Sequence, residues 1–348
     1  MYRFLIYIFF IVPLYAETLH EQVARMLIVG LPHADSQKLH FFQTAAKYPL
    51  GGVILFGKDL QTQKQVHTLN KKLQTLHRKK LLIGIDQEGG YVDRLAKLPS
   101  VPKTPSAAEI AKMPIGKAQN YYTQTAQRLK YLGFTLNFAP VVDLAINPKN
   151  RVIVGFQRSY GKSVMQTVKY ATLYINAMDG KGIIPVIKHF PGHGSSVGDS
   201  HEGFTDVSET WEEEELLPYV KLIQAGKARM IMSAHIYNKY LDKDYPATLS
   251  YKTITGLLRK KLGFEGVVIS DDMQMGAIRD NYSQKDAIVM AINAGVDMLL
   301  FGNQLQKAVL PDRLIDMIVE AVREGLIKKE RIEDANRHIA SLLQEKGD

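Results

Sequence analysis

The sequence predicts an α/β chain folded as a single-domain (β/α)8 TIM-type barrel behind a short export signal. Three observations carry that expectation: eight short apolar runs recur, they lack clean polar/apolar alternation, and helix-capable segments lie between them. Strands covered on both faces read as near-continuous Val, Ile and Leu, as in a parallel sheet. Eight of them alternating with helices favour a closed barrel over a doubly wound sheet.

In chain order the runs are Met26–Leu31, Gly52–Phe56, Leu81–Ile85, Thr135–Ala139, Ile184–Ile187, Arg229–Ser233, Gly266–Ser270 and Val296–Phe301. The segments 61–76 and 118–132 carry apolar positions at helical spacing, with Tyr121, Tyr122, Ala126 and Leu129 forming a stripe in the second. Segments 164–178 and 211–222 read the same way, the latter with an acidic first turn suited to a helix N-terminus. Ser283 is a candidate N-cap for a helix over 283–294. After Gly302 only helical, charged sequence remains, so no second globular domain is expected.

Residues 1–16, MYRFLIYIFFIVPLYA, hold one Arg, an apolar stretch, a Pro and a small Ala16 before Glu17. The stretch is too short for a stable span and fits a secretory signal cleaved after Ala16. The domain plan is therefore a signal over 1–16 and a barrel over 17–348, in a periplasmic or otherwise exported protein. An uncleaved anchor, a buried terminal strand and a cytoplasmic location are the alternatives.

The 348 residues are 46% hydrophobic and 23% charged, enough to bury a large core and unlike a disordered chain. No cysteine is present, which excludes disulfides, thiolate zinc sites and a Cys nucleophile. Any nucleophile must be oxygen or nitrogen. The net charge of +9 lies in short runs such as Lys71-Lys72, Arg78-Lys79-Lys80, Arg259-Lys260-Lys261 and Lys328-Lys329, which read as solvated helix faces and not as a nucleic-acid patch.

Polar residues gather where the apolar runs stop. Asp86, Gln87 and Glu88 follow the third, with Arg94 beyond; Asn137 and Asp143 bracket the end of the fourth. Lys188 and His189 follow the fifth, His235 the sixth, and Asp271-Asp272 the seventh. Barrel sites lie at the C-terminal ends of the strands, so these groups are expected to converge. The fifth run opens IPVIKHFPGHGSSVGDSHEGF, whose glycines offer a loop above a rigid base.

A carboxylate at a barrel mouth can be a nucleophile, a base or a metal ligand, and one of Asp271 and Asp272 is equally suited to capping the next turn. Asp199 and His201 can form a dyad in which the carboxylate orients the ring for proton exchange, or can be an ordinary exposed loop. The histidines at 189, 193, 201 and 235 could bind zinc, but HExxH is absent and no HxH pair follows the first strand, so no catalytic metal is expected. The phosphate-cradling GxxxxGK[ST] is also absent.

Five motifs in order, IDQEGG (85–90), NFAPVVD (137–143), KHFPGHG (188–194), DSH (199–201) and ISDDM (269–273), resemble glycoside hydrolase family 3 and within it the β-N-acetylglucosaminidase branch. The resemblance runs from about Met26 to Gly302 and implies a (β/α)8 barrel that hydrolyses a terminal β-linked N-acetylglucosamine with retention. It implies Asp271 as nucleophile, His201 as acid/base with Asp199 its partner, and Asp86, Arg94, Arg158, Lys188 and His189 as sugar-binding residues. Tyr91 departs from it, standing where the family commonly has Arg.

Retaining glycosidases usually set two carboxyl groups about 5–5.5 Å apart on opposite sides of the anomeric carbon. Here a strand offers one, and a loop freed by Gly192, Gly194 and Gly198 is expected to bring His201 instead. The expectation is an exo-acting enzyme on peptidoglycan-derived saccharides, with a small saccharide or muropeptide as partner, no cofactor, no stable protein partner and a monomeric state. A β-glucosidase, a glycoside phosphorylase and a non-catalytic saccharide-binding protein are the alternatives. A neutral histidine would admit phosphate where a carboxylate would repel it.

Overall fold

The computed structural model describes residues 17–77, 79–198, 203, 205–304 and 308–344. The expected signal, 1–16, lies outside them. The barrel strands are β1 (Leu27–Gly30), β2 (Gly52–Leu55), β3 (Leu82–Ile85), β4 (Leu136–Asn137), β5 in two segments (Ile184–Pro185 and Ile187–Phe190), β6 (Met230–Ser233), β7 (Val267–Asp272) and β8 (Met298–Phe301). Every neighbouring pair is parallel. The first segment of β5 pairs with β4 and the second with β6, so the sheet returns on itself across Val186.

All eight expected runs contain a strand. The differences lie at their ends. β4 is confined to two residues, and β5 and β7 continue past the apolar run, so that Lys188, His189, Asp271 and Asp272 stand in strands and not in loops after them. Their backbones are thereby fixed by the sheet.

The outer helices Gln63–Gln74, Ile115–Leu132, Val164–Asp179 and Gln284–Ala294 fall where periodicity puts them. Ser283 caps the last, its Oγ accepting from the Asp286 N–H at 3.1 Å. Asp35–Lys47 is a further helix whose start carries no side-chain cap, which removes the usual sequence signal. Helices Pro311–Arg323 and Lys329–Gln344 close the described chain. No helix among the described residues is long and apolar enough to cross a membrane.

Most lysines of the basic runs are exposed, but Arg259 is not a solvated face. Its guanidinium bonds the fully buried Asp297, next to the start of β8, and the carbonyls of Phe264 and Gly266. Asp297 also accepts from Arg331 Nη2 at 2.6 Å, His338 Nδ1 at 3.0 Å and the Val268 N–H at 2.9 Å. Burial alone would raise this carboxyl, yet His338 and the two arginines hold it below the ordinary carboxylate range. It ties two outer elements to the barrel floor, at the end away from the polar cluster. Removing one partner of a buried ion pair strands the others, so Asp297→Ala should cost about 3–5 kcal/mol in urea unfolding. A loss under about 1 kcal/mol would show that the arginines find water instead.

Candidate active site

The C-terminal ends of the strands open into a cavity of about 910 Å³. Ile54, Met232 and Leu300 form an apolar floor, and Asp86, Glu88, Arg94, Arg158, Lys188, His189, Asp271 and Asp272 line its walls. Every described residue expected to bind sugar, together with Asp271, therefore faces one space. Asp199 and His201 lie outside the described residues.

Lys188 is the centre of the charged wall. Its Nζ meets Asp86 Oδ1 at 2.8 Å and Glu88 Oε1 at 2.7 Å, with the side chain only 3% exposed. Arg158 grips Glu88 in a fork, Nε to Oε2 and Nη2 to Oε1 both at 2.8 Å. Burial would raise the Glu88 carboxyl, but Arg158 and Lys188 drive it far below the ordinary carboxylate range. Burial likewise opposes the Lys188 cation, and Asp86 and Glu88 overcome it. Glu88, Lys188 and Arg158 are consequently ionised at neutral pH.

The network continues to His189. Its Nδ1 lies 2.7 Å from Asp143 Oδ2, and Arg158 Nη2 lies 3.4 Å from its Nε2. A guanidinium can only donate, so Nε2 is the acceptor in that contact and Nδ1 faces the Asp143 carboxylate as donor. Asp143 is fully buried and also accepts the N–H groups of His189 (3.1 Å) and His193 (2.9 Å).

A tight hairpin supplies the other groups. Gln87–Gly89 pairs antiparallel with Val92–Asp93, and Gly89 and Gly90 turn the chain with φ of +98° and +60°. Asp93 braces it by accepting from Gln87 Nε2, Ala96 N–H and Thr104 N–H. Glu88 thus points inward while Tyr91 stands at the tip. Arg94 follows and lines the cavity, and its Nε is buried with no hydrogen-bond partner among the described residues.

The two aspartates of β7 divide their tasks. Asp272 Oδ1 accepts from the N–H groups of Gln274 (3.0 Å) and Gly302 (3.1 Å), stapling β7 to β8. A Cβ on Gly302 would come within 2.5 Å of Asp272 Oδ2, so this approach requires glycine. Asp271 Oδ1 accepts the Asp272 N–H at 2.8 Å, and its side chain is the less buried of the two.

Residues 18–342 match the profile described as glycosyl hydrolase family 3 N terminal domain. The chain belongs to glycosyl hydrolase family 3. It is 32% identical over 323 residues to Beta-hexosaminidase A of Pseudoalteromonas piscicida, an overlap of 85% of this chain and 54% of that protein. It is 31% identical over 333 residues to Beta-hexosaminidase LpqI of Mycobacterium tuberculosis, 92% of this chain and 82% of the relative. Its fold matches a glycoside hydrolase family 3 beta-N-acetylglucosaminidase from Paenibacillus sp. str. FPU-7 with TM-score 0.85 and 31% identity, covering 96% of this chain and 64% of the other. The chain spans about half the length of the Pseudoalteromonas relative.

Several polar residues near this family 3 cavity serve its frame. His235 is buried, its Nε2 3.0 Å from the Asp272 carbonyl and its Nδ1 2.9 Å from Thr248 Oγ1, so it supports β7 from behind and does not join the cavity wall. Asn137 bonds the Gln87 N–H and carbonyl, fixing the exit of β3. Burial and the nearby His189 push the His193 ring down to about 4, leaving it neutral. No group of three His, Asp or Glu able to hold a metal occurs among the described residues.

The loop after β5 differs from the expectation of glycine freedom. A Cβ on Gly194 would lie 1.7 Å from the Leu144 carbonyl oxygen, and one on Gly192 2.5 Å from Glu215 Cβ. These glycines permit close packing, and Ser195 and Ser196 are fully buried. Asn150 Nδ2 donates to the carbonyls of His193 (2.7 Å) and Gly194 (3.0 Å). The root is locked, and exposure begins at Val197.

Glu215 completes that lock. The acidic turn had suggested only a dipole role, but Glu215 is buried and its Oε2 accepts from the N–H groups of Gly194 (2.8 Å) and Ser195 (3.3 Å). Burial pushes its carboxyl up to about 7 from 4.5. Between those values the folded state holds a proton that the unfolded chain has released, so its contribution to stability is lost as pH rises from 4.5 to about 7. Relative to Glu215→Gln, which keeps an acceptor but no titration, the wild type should lose stability across that window in urea unfolding. A pH-independent difference would refute the shift.

Proposed function

We propose that this chain is a retaining exo-β-N-acetylglucosaminidase acting on peptidoglycan-derived saccharides after export. One observation carries the reading: Asp271, on a strand end, shares a single cavity with the Asp86–Lys188–Glu88–Arg158 network and Arg94. The β-hexosaminidase relatives and the family motifs support the sugar class. In this reading Asp86, Arg94, Arg158, Lys188 and His189 surround the terminal sugar, and the Asp271 carboxylate attacks its anomeric carbon. The glycosidic C–O bond breaks, its electron pair goes to the leaving oxygen, and His201, aligned by Asp199, gives that oxygen a proton. His201 then takes a proton from water, whose oxygen displaces Asp271 and restores the carboxylate.

Trapping with a slow fluorinated N-acetylglucosaminide, followed by peptide mapping, should put one sugar on Asp271. Asp271→Ala should abolish turnover for every leaving group. His201→Ala should lower the glycosylation step about 10²–10⁴-fold for poor leaving groups and spare it for activated aryl ones. Equal losses for both would remove His201 from the acid role, and a first product of inverted configuration would remove the nucleophile. Release that needs phosphate would make the enzyme a phosphorylase.

Export has its own test. N-terminal sequencing of the mature chain should begin at Glu17, and a chain retaining Met1 in the cytoplasm would overturn that part alone.

A further inference from the structure

The cavity has a chemical gradient that the glycoside reading leaves unused. Its inner walls are charged and closed, with Lys188 3% exposed. Its mouth is aromatic. Tyr91 and Phe156 lie face to face, ring centroids 3.8 Å apart and planes within 5°, and both line the cavity. Tyr91 is nevertheless 66% exposed. One exposed aromatic ring means little by itself. A coplanar pair at the rim of a polar cavity, held there by the structure below, is a different matter.

The support is the Glu88–Arg158 fork. Glu88 stands three residues before Tyr91 on the hairpin, and Arg158 two residues after Phe156 on the segment beyond β4. The bidentate pair clamps the two backbones, and the stacked rings close the same gap further out. Phe156 covers one face of Tyr91, so the ring's exposed area is its other face and edge. Such a face carries partial negative charge and suits the weakly positive axial C–H groups of a pyranose.

We infer that the Tyr91–Phe156 pair is the platform for the second sugar ring, the leaving group, of a disaccharide or longer substrate. The inference rests on the proposed glycosidase reading, because an exo-acting site places the terminal sugar in the charged depth and the next ring at the mouth. An aromatic wall grips that ring by its face, with little dependence on its substituents.

The test measures binding with non-hydrolysable probes on the full-length protein. A thio-linked N-acetylglucosamine disaccharide should bind more tightly than the methyl thioglycoside of N-acetylglucosamine. Tyr91→Ala should weaken the disaccharide about tenfold and change the methyl thioglycoside less than about twofold, whereas Tyr91→Phe should keep the wild-type preference. Equal weakening of both ligands, no weakening of the disaccharide, or no disaccharide preference in the wild type would overturn the platform. Turnover is read separately on the oxygen-linked disaccharide. An intact Tyr91-dependent preference without turnover removes the hydrolase reading and supports the platform, whereas no affinity for either thioglycoside removes both.

Discussion

An ammonium group buried in the mouth of a closed barrel is the constraint on which the rest of the site depends. Lys188 stands on β5 with its side chain 3% exposed, where an unpaired cation would be very costly. It is tolerable because β3 delivers Asp86 and Glu88 to within 2.8 Å on either side. That demand fixes the relative heights of β3 and β5. The hairpin after β3 turns back at Gly89 and Gly90 directly beyond Glu88. The two carboxylates do not share the task equally. Glu88 is consumed by Lys188 and Arg158 together, whereas Asp86, the more exposed of the two, keeps a side open to the cavity.

A second hub lies beneath the first. Asp143 gathers the His189 ring and two N–H groups, aligning β5 with the segment after β4. Glu215 and Asn150 then hold the next turn by its backbone. The result is a sequence of anchors along the exit of β5, each satisfying buried polar groups that would otherwise be stranded. Exposure starts only at Val197.

Much of this was legible in the sequence and some was not, for identifiable reasons. The eight runs announced the barrel because parallel strands buried on both faces leave a continuous apolar signal. Their ends differ from the apolar runs where the strand turns polar: Lys188, His189, Asp271 and Asp272 read as loop in sequence although the ladder continues through them. Arg259 looked like part of a solvated run because periodicity reports a face and not a partner, and its partner Asp297 is 38 residues away. Glu215 sat in an acidic turn that already had a sufficient local explanation. Glu88 and Asp143 were visible within motifs but carried no role, since nothing local reveals the arginine and histidine they hold. The grouping of Asp86, Arg94, Arg158, Lys188 and His189 came from family resemblance, and the cavity brings those five together.

The same physics separates rigidity from reach. A nucleophile must meet the anomeric carbon within a narrow range of distance and angle, which favours a strand end braced by its neighbour. On the proposed reading, with Asp271 as that nucleophile, Asp272 supplies the brace by accepting the Gly302 N–H, and His235 adds another from behind. Charged groups that hold a sugar gain most where water is excluded, which favours the barrel's depth. Contacts with whatever follows that sugar must tolerate variety, and an aromatic face at an open rim does so without a buried polar group to satisfy. The Glu88–Arg158 pair joins the two regimes, because one ion bridge neutralises the depth and holds the loops that carry the rim. A change to that bridge would therefore be felt at both ends of the cavity.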